Sequence, residues 1–356
     1  MSDHPQMGLV NRLFEASLGT GEVFTVYLGD RLGFYRTLLD GALTAGELSN
    51  AAETDERATR EWLEQQAAAG ILAVDDVSAP AEQRRFSLPE ENAGALTDPD
   101  SPYSIAPLCR SFAAIGSTLP KILDAYRTGE GVSWEDYGRD MTEAQGDFNR
   151  PWLRGSLATE YLPSIPDLHE RLSAGATVAD VACGVGWAGI SIAQAYPNVT
   201  VDGFDLDEPS ITLAKVNAAE EGVADRVNFS VEDVGDLLLD NVYDLAIVVE
   251  AIHDLSAPVD VLSSIRRMLT ENGTLIVADE KTEDVFTAPA SETERLFYSY
   301  SVLCCLISAQ VDDPTAATGT VMRRSTFEGY AKAAGFSSVE VLPLEHDFLR
   351  FYRLDR

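Results

Sequence analysis

The sequence predicts an α/β protein built on a doubly wound parallel sheet, preceded by an α-rich region and ended by an antiparallel hairpin. Short apolar runs that alternate with helical segments from Thr177 onward predict the parallel sheet. A helix–turn–helix pattern followed by two strand-like runs predicts a winged helix near residues 35–95. The chain has 356 residues, 45% of them hydrophobic, which allows two domains.

The charge of the chain argues against two classes of partner. It carries 58 acidic and 26 basic residues, a formal net charge of −32. A field of this sign repels nucleic acid and anionic lipid, and no run approaches 18 apolar residues, so we expect no nucleic acid and no membrane as partners.

The first residues lack the apolar core of a signal peptide. The four cysteines, which have no pairing or metal-ligand spacing, are Cys109, Cys183, Cys304 and Cys305. These features predict a cytoplasmic protein with free thiols and no bound metal.

Two consecutive helices have clear boundary signals in the N-terminal region. Thr44 and Glu47 form a capping-box pattern, Asp55 is a suitable N-cap, and Gly70 is a suitable stop. The runs GILAVDD and RRFSLP then predict the wing. Such a module binds DNA, or it serves as a dimerisation domain or substrate lid. Residues 38–98 hold four basic and thirteen acidic residues, a net charge of −9, which disfavours DNA.

The rest of the chain follows a regular order. Residues 101–175 are predicted to be mostly helical, with a loop at Arg127–Gly138. Five parallel strands are predicted in TVADVA, VTVDGFDL, RVNFSVED, VYDLAIVVEAIHD and GTLIVADE, and the helices between them in WAGISIAQAYP, EPSITLAKVNAAEEG and PVDVLSSIRRML. A helix in TFEGYAKAAGF precedes SSVEVLPL and HDFLRFYRL, two strands predicted to be joined by a short turn.

The motif that bears most on function is VADVACGVGWAG, Val178–Gly189. Gly184, Gly186 and Gly189 match the G-x-G-x-x-G pattern of dinucleotide sites. Such glycines let a ligand approach the backbone, and both NAD and S-adenosylmethionine sites exploit this. Asp180 is unfavourable beside a pyrophosphate, but it suits a cationic amino-acid group or the amides of a turn.

Two further acids follow successive strands. Asp205 ends the second strand, 19 residues after Gly186, where a carboxylate reaches the ribose hydroxyls of either cofactor. Asp233 ends the third strand, where it suits an adenine amino group. Each acid alone is also compatible with a solvated turn. Their joint placement at strand ends, where ligands bind in open α/β sheets, favours a nucleoside cofactor.

Six segments in the expected order resemble a class I S-adenosylmethionine-dependent methyltransferase: ADVACGVGWAGISIA, VDGFDLDEPSI, FSVEDV, YDLAIVVEAIHDL, LTENGTLIVADE and AAGFSSVEVLPL. The acidic winged helix ahead of them is similar to the dimerisation domain of small-molecule O-methyltransferases. The resemblance implies a Rossmann-like methyltransferase sheet, S-adenosylmethionine as cofactor, a small-molecule methyl acceptor, most simply a hydroxyl, and a homodimer formed through the N-terminal domain. The implied domains are a winged-helix-like dimerisation domain at 1–100, a helical connector or lid at 101–165, and the S-adenosylmethionine-binding domain at 166–356.

The resemblance also implies which residues contact the cofactor. Ala182 replaces the first glycine that is usual in the family's loop, and a small residue still fits there. The matching positions supply a ribose acid, an adenine-edge pair and an acid near the methionine part of the cofactor. In full, the implied cofactor residues are Asp180, Cys183, Gly184, Gly186, Asp205, Leu206, Asp233, Val234 and Glu250.

The run EAIHDL places His253 directly after the fourth strand, followed by Asp254. Histidine has an ordinary pKa that suits base catalysis near neutrality, and the family's O-methyltransferases have a His–Asp pair at this point with the histidine as base. Leu255 replaces the family's aromatic residue. A histidine that caps the next helix is the alternative. Asp279 or Glu280, at the end of the fifth strand, either orients His253 or lies on the surface.

Aromatic residues are candidates for an apolar acceptor pocket. Tyr137, Phe148 and Tyr298 are predicted to bind substrate, although rings at helical spacing are more often part of a core.

Two other functions stay open from sequence: an NAD(P)-dependent oxidoreductase that uses the same glycines, and a ligand-sensing regulator whose winged helix binds DNA. The remaining histidines, His4, His169 and His346, are expected to be surface or packing residues.

Overall fold

Two units make up the chain, Met1–Gly116 and Ser117–Arg356, and the boundary between them falls within a helix. The computed structural model describes residues 7–356, so His4 lies outside the described residues. The segment predicted as a connector, 101–165, is shared between the two units. None of the described helices is both long enough and apolar enough to cross a membrane.

Helices dominate the first unit. Its elements are α1 (Met7–Arg31), α2 (Phe34–Thr37), α3 (Ala45–Ala51), α4 (Glu56–Ala68), β1 (Ala73–Val74), β2 (Phe86–Ser87), α5 (Glu90–Thr97) and the first part of α6 (Ala106–Thr128). Strands β1 and β2 pair antiparallel, and Leu43 bridges to Phe86 beside them. The order of two helices and two short strands is the one that the sequence predicts for a winged helix.

Local hydrogen bonds set the ends of α3 and α4. The Glu47 N–H donates to the Thr44 hydroxyl over 3.2 Å, and the Thr44 N–H donates to the Glu47 carboxylate over 2.8 Å, which confirms the predicted capping box. Asp55 accepts from the Ala58 N–H over 2.8 Å at the start of α4. Gly70 follows α4 with a φ of +76°, a conformation that glycine adopts without steric cost.

The second unit carries the parallel sheet. After α6 come α7 (Trp134–Trp152), a π-helical segment (Leu153–Tyr161), α8 (Pro166–Ala174), β3 (Thr177–Val181), α9 (Trp187–Ala195), β4 (Thr200–Asp205), α10 (Glu208–Glu220), β5 (Val227–Val231), β6 (Tyr243–Val249), α11 (Pro258–Met268), β7 (Leu269–Glu280), α12 (Glu292–Tyr300), a π-helical turn (Ser301–Cys305), α13 (Leu306–Ser308), α14 (Arg324–Ala333), β8 (Glu340–Val341) and β9 (Leu349–Asp355).

Seven strands form this sheet in the order β5-β4-β3-β6-β7-β9-β8. Strands β3 to β7 are mutually parallel, and β9 pairs antiparallel with both β7 and β8. The five parallel strands and the terminal antiparallel pair are therefore confirmed. The predicted short turn is wrong, because residues 342–348 separate β8 from β9. Pro343 has no N–H to donate to a strand ladder, so β8 ends after two residues.

Helices cover both faces of the sheet. Helices α8, α9 and α10 pack on one face, through residues such as Leu172 and Ile190, and α11 and α14 pack on the other, through residues such as Leu262 and Phe327. The strands are buried on both sides, which explains their nearly continuous apolar runs. In this arrangement the carboxyl ends of β3, β4 and β6 meet at one edge, where a ligand is expected.

The two described histidines outside that edge have packing roles, as expected. His169 is exposed, and its Nδ1 lies 2.9 Å from the Tyr196 hydroxyl. The ring of His346 packs edge-on against Trp152 at 5.3 Å, and its Nδ1 accepts from the Leu349 N–H over 3.1 Å.

Candidate active site

The glycines of the loop after β3 have different surroundings. Gly184 has a φ of +51°, and a Cβ added there would meet nothing within 4 Å. Gly186 has a φ of +85°, and a Cβ there would lie 2.4 Å from the Phe229 ring. Gly189 is also closely packed, since a Cβ there would lie 2.9 Å from Val201. Only Gly184 leaves open space that a ligand can use, whereas the other two glycines serve packing.

Asp180 lies inside the protein and does not face the open side of the loop. Its side chain is 2% exposed, and one carboxylate oxygen accepts from the Gly189 N–H over 2.9 Å. Burial raises the pKa of Asp180 to about 7. This geometry corresponds to the turn-amide role that the sequence left open, so Asp180 supports the first turn of α9.

Asp205 links the glycine loop to the end of β4. Its Oδ2 accepts from the Gly184 N–H over 2.8 Å, and its Oδ1 accepts from the Asp207 N–H over 2.9 Å. Burial raises its pKa. A carboxylate has about four acceptor sites, so Asp205 retains capacity for ligand hydroxyls after both backbone bonds.

The other implied cofactor residues differ in exposure. Leu206 is 67% exposed and Val234 is 5% exposed. Asp233 is exposed, and its Oδ1 accepts from the Gly235 N–H over 2.7 Å, so it also stabilises its own turn. Cys183 is half-buried and its N–H donates to the Phe204 carbonyl over 3.0 Å, which joins the loop to β4.

Glu250 follows β6 and is held by two side-chain amides that the sequence gave no reason to select. Its Oε2 accepts from Gln145 Nε2 over 2.8 Å and from Asn149 Nδ2 over 2.6 Å. These amides lie four residues apart, on one face of α7. Burial raises the pKa of Glu250.

Two residues at the carboxyl edge of the sheet have left-handed backbone conformations that are uncommon for non-glycine residues. Glu250 has a φ of +48°, and Ala182, in the glycine loop, has a φ of +53°. Such strain concentrates at functional sites. A glycine would adopt the φ of Ala182 without the steric cost that its Cβ brings.

His253 is buried between carboxylates from two strand ends. It is 2% exposed and belongs to a short 3₁₀ turn, Ile252–Asp254, after β6. Its Nδ1 lies 2.8 Å from Asp279 Oδ1, with hydrogen-bond geometry. The same nitrogen lies 2.8 Å from Glu280 Oε2, which forms no hydrogen bond. With the proton on Nδ1 donated to Asp279, Nε2 is the atom that gains or loses a proton.

The carboxylates determine the charge of the histidine. Burial opposes a charged imidazole, yet the neighbouring acids Asp254, Glu280 and Asp279 outweigh it and raise the pKa of His253 well above its ordinary value. Burial also opposes ionisation of Asp279, but the positive His253 outweighs burial and lowers the pKa of this carboxyl. Both shifts favour the charged forms, a protonated His253 beside an ionised Asp279, whereas burial raises the pKa of Glu280.

A cysteine distant in sequence completes the surroundings of His253. The Nε2 of His253 lies 3.3 Å from Asp254 Oδ1, and Cys305 Sγ lies within 4.8 Å of both groups. The spacing of the cysteines along the chain gave no sign that Cys305 lies near His253. The π-helical turn that carries Cys305 could not be inferred from the sequence, because nothing in the run SVLCC distinguishes this turn from an ordinary helix.

The three residues predicted to bind substrate, Tyr137, Phe148 and Tyr298, each contact a different residue of the chain. Tyr137 is 2% exposed and its hydroxyl donates to the Leu303 carbonyl over 2.8 Å. Phe148 is half-buried, with its ring 6.4 Å from that of Phe348. Tyr298 accepts from Arg323 Nη2 over 2.9 Å.

Comparison with known proteins gives a consistent set of relatives. Residues 172–321 match the model of a family described as a methyltransferase domain. Methyltransferase GfsG of Streptomyces halstedii is 32% identical over 115 residues, which cover 32% of this chain and 41% of that protein. O-methyltransferase rstn1 of Aspergillus nomiae is 31% identical over 126 residues, which cover 35% of this chain and 55% of that protein. The chain therefore spans about half the length of these curated relatives.

Solved structures share the fold along nearly the whole chain. The mitomycin 7-O-methyltransferase MmcR has a TM-score of 0.72 at 21% identity, with 99% of this chain and 98% of that chain covered. LaPhzM has a TM-score of 0.73 at 18% identity, with 98% and 99% covered. Human N-acetylserotonin methyltransferase, solved with S-adenosylmethionine, has a TM-score of 0.69 at 16% identity, with 100% and 99% covered. The α/β fold predicted from the sequence is therefore confirmed.

Proposed function

We propose that this protein transfers a methyl group from S-adenosylmethionine to a hydroxyl group of a small molecule, with His253 as general base, because residues 172–321 match the model of a methyltransferase domain. The observation that carries the proposal is the buried His253–Asp279 pair at the sheet edge that also presents Gly184 and Asp205. Four of the five relatives named above are methyltransferases by name, and none of the five is named as an NAD(P)-dependent oxidoreductase or a DNA-binding regulator.

The residues at the carboxyl edge of the sheet suit S-adenosylmethionine. Gly184 leaves open space over the loop, and Asp205 keeps acceptor capacity for ribose hydroxyls. Glu250 offers a carboxylate to a cationic amino-acid group, with Gln145 and Asn149 fixing its position. Bound S-adenosylmethionine supplies an electrophilic methyl group.

The chain contributes orientation and a base. Asp279 fixes the ring of His253 so that Nε2 is the proton-accepting atom, and Nε2 takes the hydroxyl proton of the acceptor as the new bond forms. His253 must first lose its own proton, since its neighbours raise its pKa.

Cofactor choice is tested by calorimetric titration with S-adenosylmethionine, S-adenosylhomocysteine and NAD. We expect micromolar binding of the two sulfur compounds and weaker binding by Asp205→Asn. Asp207→Asn is the matched control, because Asp207 caps α10 through the Ser210 N–H and asparagine caps equally well. Binding of NAD alone would reverse the proposal.

The base is tested by His253→Ala. Turnover should fall by roughly 10²–10⁴-fold while affinity for S-adenosylhomocysteine stays close to that of the wild type. His169→Ala is the control, since His169 is exposed and contacts Tyr196. Full turnover in the His253 variant would exclude the general-base role.

The same proposal includes a homodimer formed through the N-terminal unit. Helix α1 exposes apolar side chains that a second copy can cover, among them Leu13 at 55% and Phe14 at 60% exposure. Leu13→Glu with Phe14→Glu should yield a monomer in sedimentation analysis. Val77→Glu, at a residue that is 73% exposed in the same unit, should leave the dimer intact. A dimer that survives the α1 substitutions would require another interface.

We also propose a cytoplasmic location. The four cysteines, Cys109, Cys183, Cys304 and Cys305, are free thiols, which fits a reducing compartment.

A further inference from the structure

A group of three metal-ligating side chains lies on the Nε2 side of His253. The Nε2 atom, a carboxylate oxygen of Asp254 and the Sγ atom of Cys305 lie within 4.8 Å of one another. The Nε2 and Asp254 Oδ1 atoms are 3.3 Å apart, and this oxygen is buried without a hydrogen-bond partner among the described residues. Three different ligand types therefore converge on one point, and one of them is unsatisfied.

Imidazole nitrogen, thiolate sulfur and carboxylate oxygen are the ligands that Zn²⁺ uses in proteins. Three protein ligands and one water form a common four-coordinate zinc site. Alkaline-earth cations prefer oxygen ligands alone, so a sulfur and a nitrogen in the set favour zinc over magnesium or calcium.

The second nitrogen of the ring has the partner expected for a metal-binding histidine. Nδ1 lies 2.8 Å from Asp279 Oδ1, and Asp279 is 1% exposed. A carboxylate that accepts from Nδ1 fixes the ring and directs Nε2 toward the metal. This hydrogen bond thus orients Nε2 without a contribution from Asp254 or Cys305.

Charge and access also suit a divalent cation. The carboxyl groups of Asp254, Asp279 and Glu280 surround a single imidazole, so acidic side chains outnumber basic ones at this point. The Asp254 side chain is 32% exposed and Cys305 is half-buried, so two of the three residues lie near the surface. The adjacent Cys304 is 2% exposed and does not belong to the group.

We propose that His253, Asp254 and Cys305 form a Zn²⁺ site, and that bound zinc inhibits the protein by occupying Nε2. Binding forms one bond each from zinc to nitrogen, sulfur and oxygen, and the protons of the thiol and of the imidazolium pass to solvent. Affinity therefore increases with pH. The inhibition rests on the proposed function, whereas the binding does not.

The test is titration with Cd²⁺, a thiophilic analogue of zinc, followed by its ultraviolet thiolate-to-metal charge-transfer band. We expect one ion per chain, displacement by Zn²⁺, loss of the band in Cys305→Ser and a normal band in the neighbouring control Cys304→Ser. Asp279→Asn should weaken binding by about 10–100-fold. Equal bands in the two cysteine variants, or no saturable band in the wild type, would overturn the site.

Two additions keep the result independent of folding and of methyl transfer. The band is measured without cofactor or acceptor, so failure of methyl transfer leaves the metal site testable. If Cys305→Ser does not fold, alkylation of the wild-type protein replaces it: Zn²⁺ should protect Cys305, while Cys183 in the glycine loop keeps its rate. Unchanged alkylation of Cys305 in the presence of Zn²⁺ would count against the site.

Discussion

Replacing Asp279 by asparagine tests how the free protein prepares His253. The carboxylate accepts from Nδ1 over 2.8 Å inside the protein, where it is 1% exposed. Hydrogen bonds to a charged partner contribute about 1.5–3 kcal/mol, which corresponds to a loss of roughly 10–150-fold in kcat/KM if the bond persists in the transition state. Affinity for S-adenosylhomocysteine should change little, because no carboxylate oxygen of Asp279 bonds to the glycine loop.

Glu280→Gln is the matched control for that substitution. Glu280 Oε2 lies at the same 2.8 Å from Nδ1 but forms no hydrogen bond. We expect a smaller loss of kcat/KM, because this substitution removes no hydrogen bond from Nδ1. The assay is steady-state methyl transfer across pH, with thermal unfolding to exclude loss of the fold. Equal losses in both variants, or full activity in Asp279→Asn, would refute the assignment of Asp279 as the orienting acid.

The remaining predictions concern pH and backbone. The kcat/KM should increase with pH to a midpoint above the ordinary pKa of histidine, because His253 must be neutral to act as base, and the kcat midpoint should lie lower. Asp180 has a folded-state pKa of about 7 against 3.8 ordinarily, so the free energy of unfolding should decrease by about 4 kcal/mol as the pH rises between those values. Asp180→Asn should flatten that pH dependence in urea unfolding. Ala182→Gly should stabilise by about 1 kcal/mol by relieving its φ of +53°, as measured by denaturant midpoint. Gly203→Ala should destabilise by about 1–3 kcal/mol in the same assay, because its Cβ would lie 2.3 Å from Phe229.

The sequence predicted the architecture because its signals are local. Buried parallel strands need long apolar runs, and helix caps need particular residues at fixed spacing, so the strands and the Thr44 and Asp55 caps were predictable. The length of the β8–β9 connection was not, because HDFLRFYRL mixes charged and apolar residues along its length and does not show where pairing begins. The boundary at Gly116 falls inside α6, where a continuous helical pattern gives no sign of it.

The site was predictable where it depends on strand ends. Asp205 and His253 follow apolar runs, and parallel strands bring such positions to one edge. Gln145, Asn149 and Cys305 were missed because they reach the site from other helical segments, whose orientation depends on tertiary packing. The sequence also could not distinguish Asp180, buried under Gly189, from an acid that faces the cleft.

The acids around His253 serve orientation and basicity in opposite ways. Asp279 fixes the ring, but together with its neighbours it raises the pKa of His253 and so favours the protonated imidazole, which cannot accept a hydroxyl proton. A cation bound beside Glu250 counters those negative charges and disfavours the imidazolium. S-adenosylmethionine carries such a charge, so we expect the neutral base to form mainly in the loaded site. The carboxylates that favour the protonated His253 in the free protein thus make the neutral imidazole depend on bound cofactor.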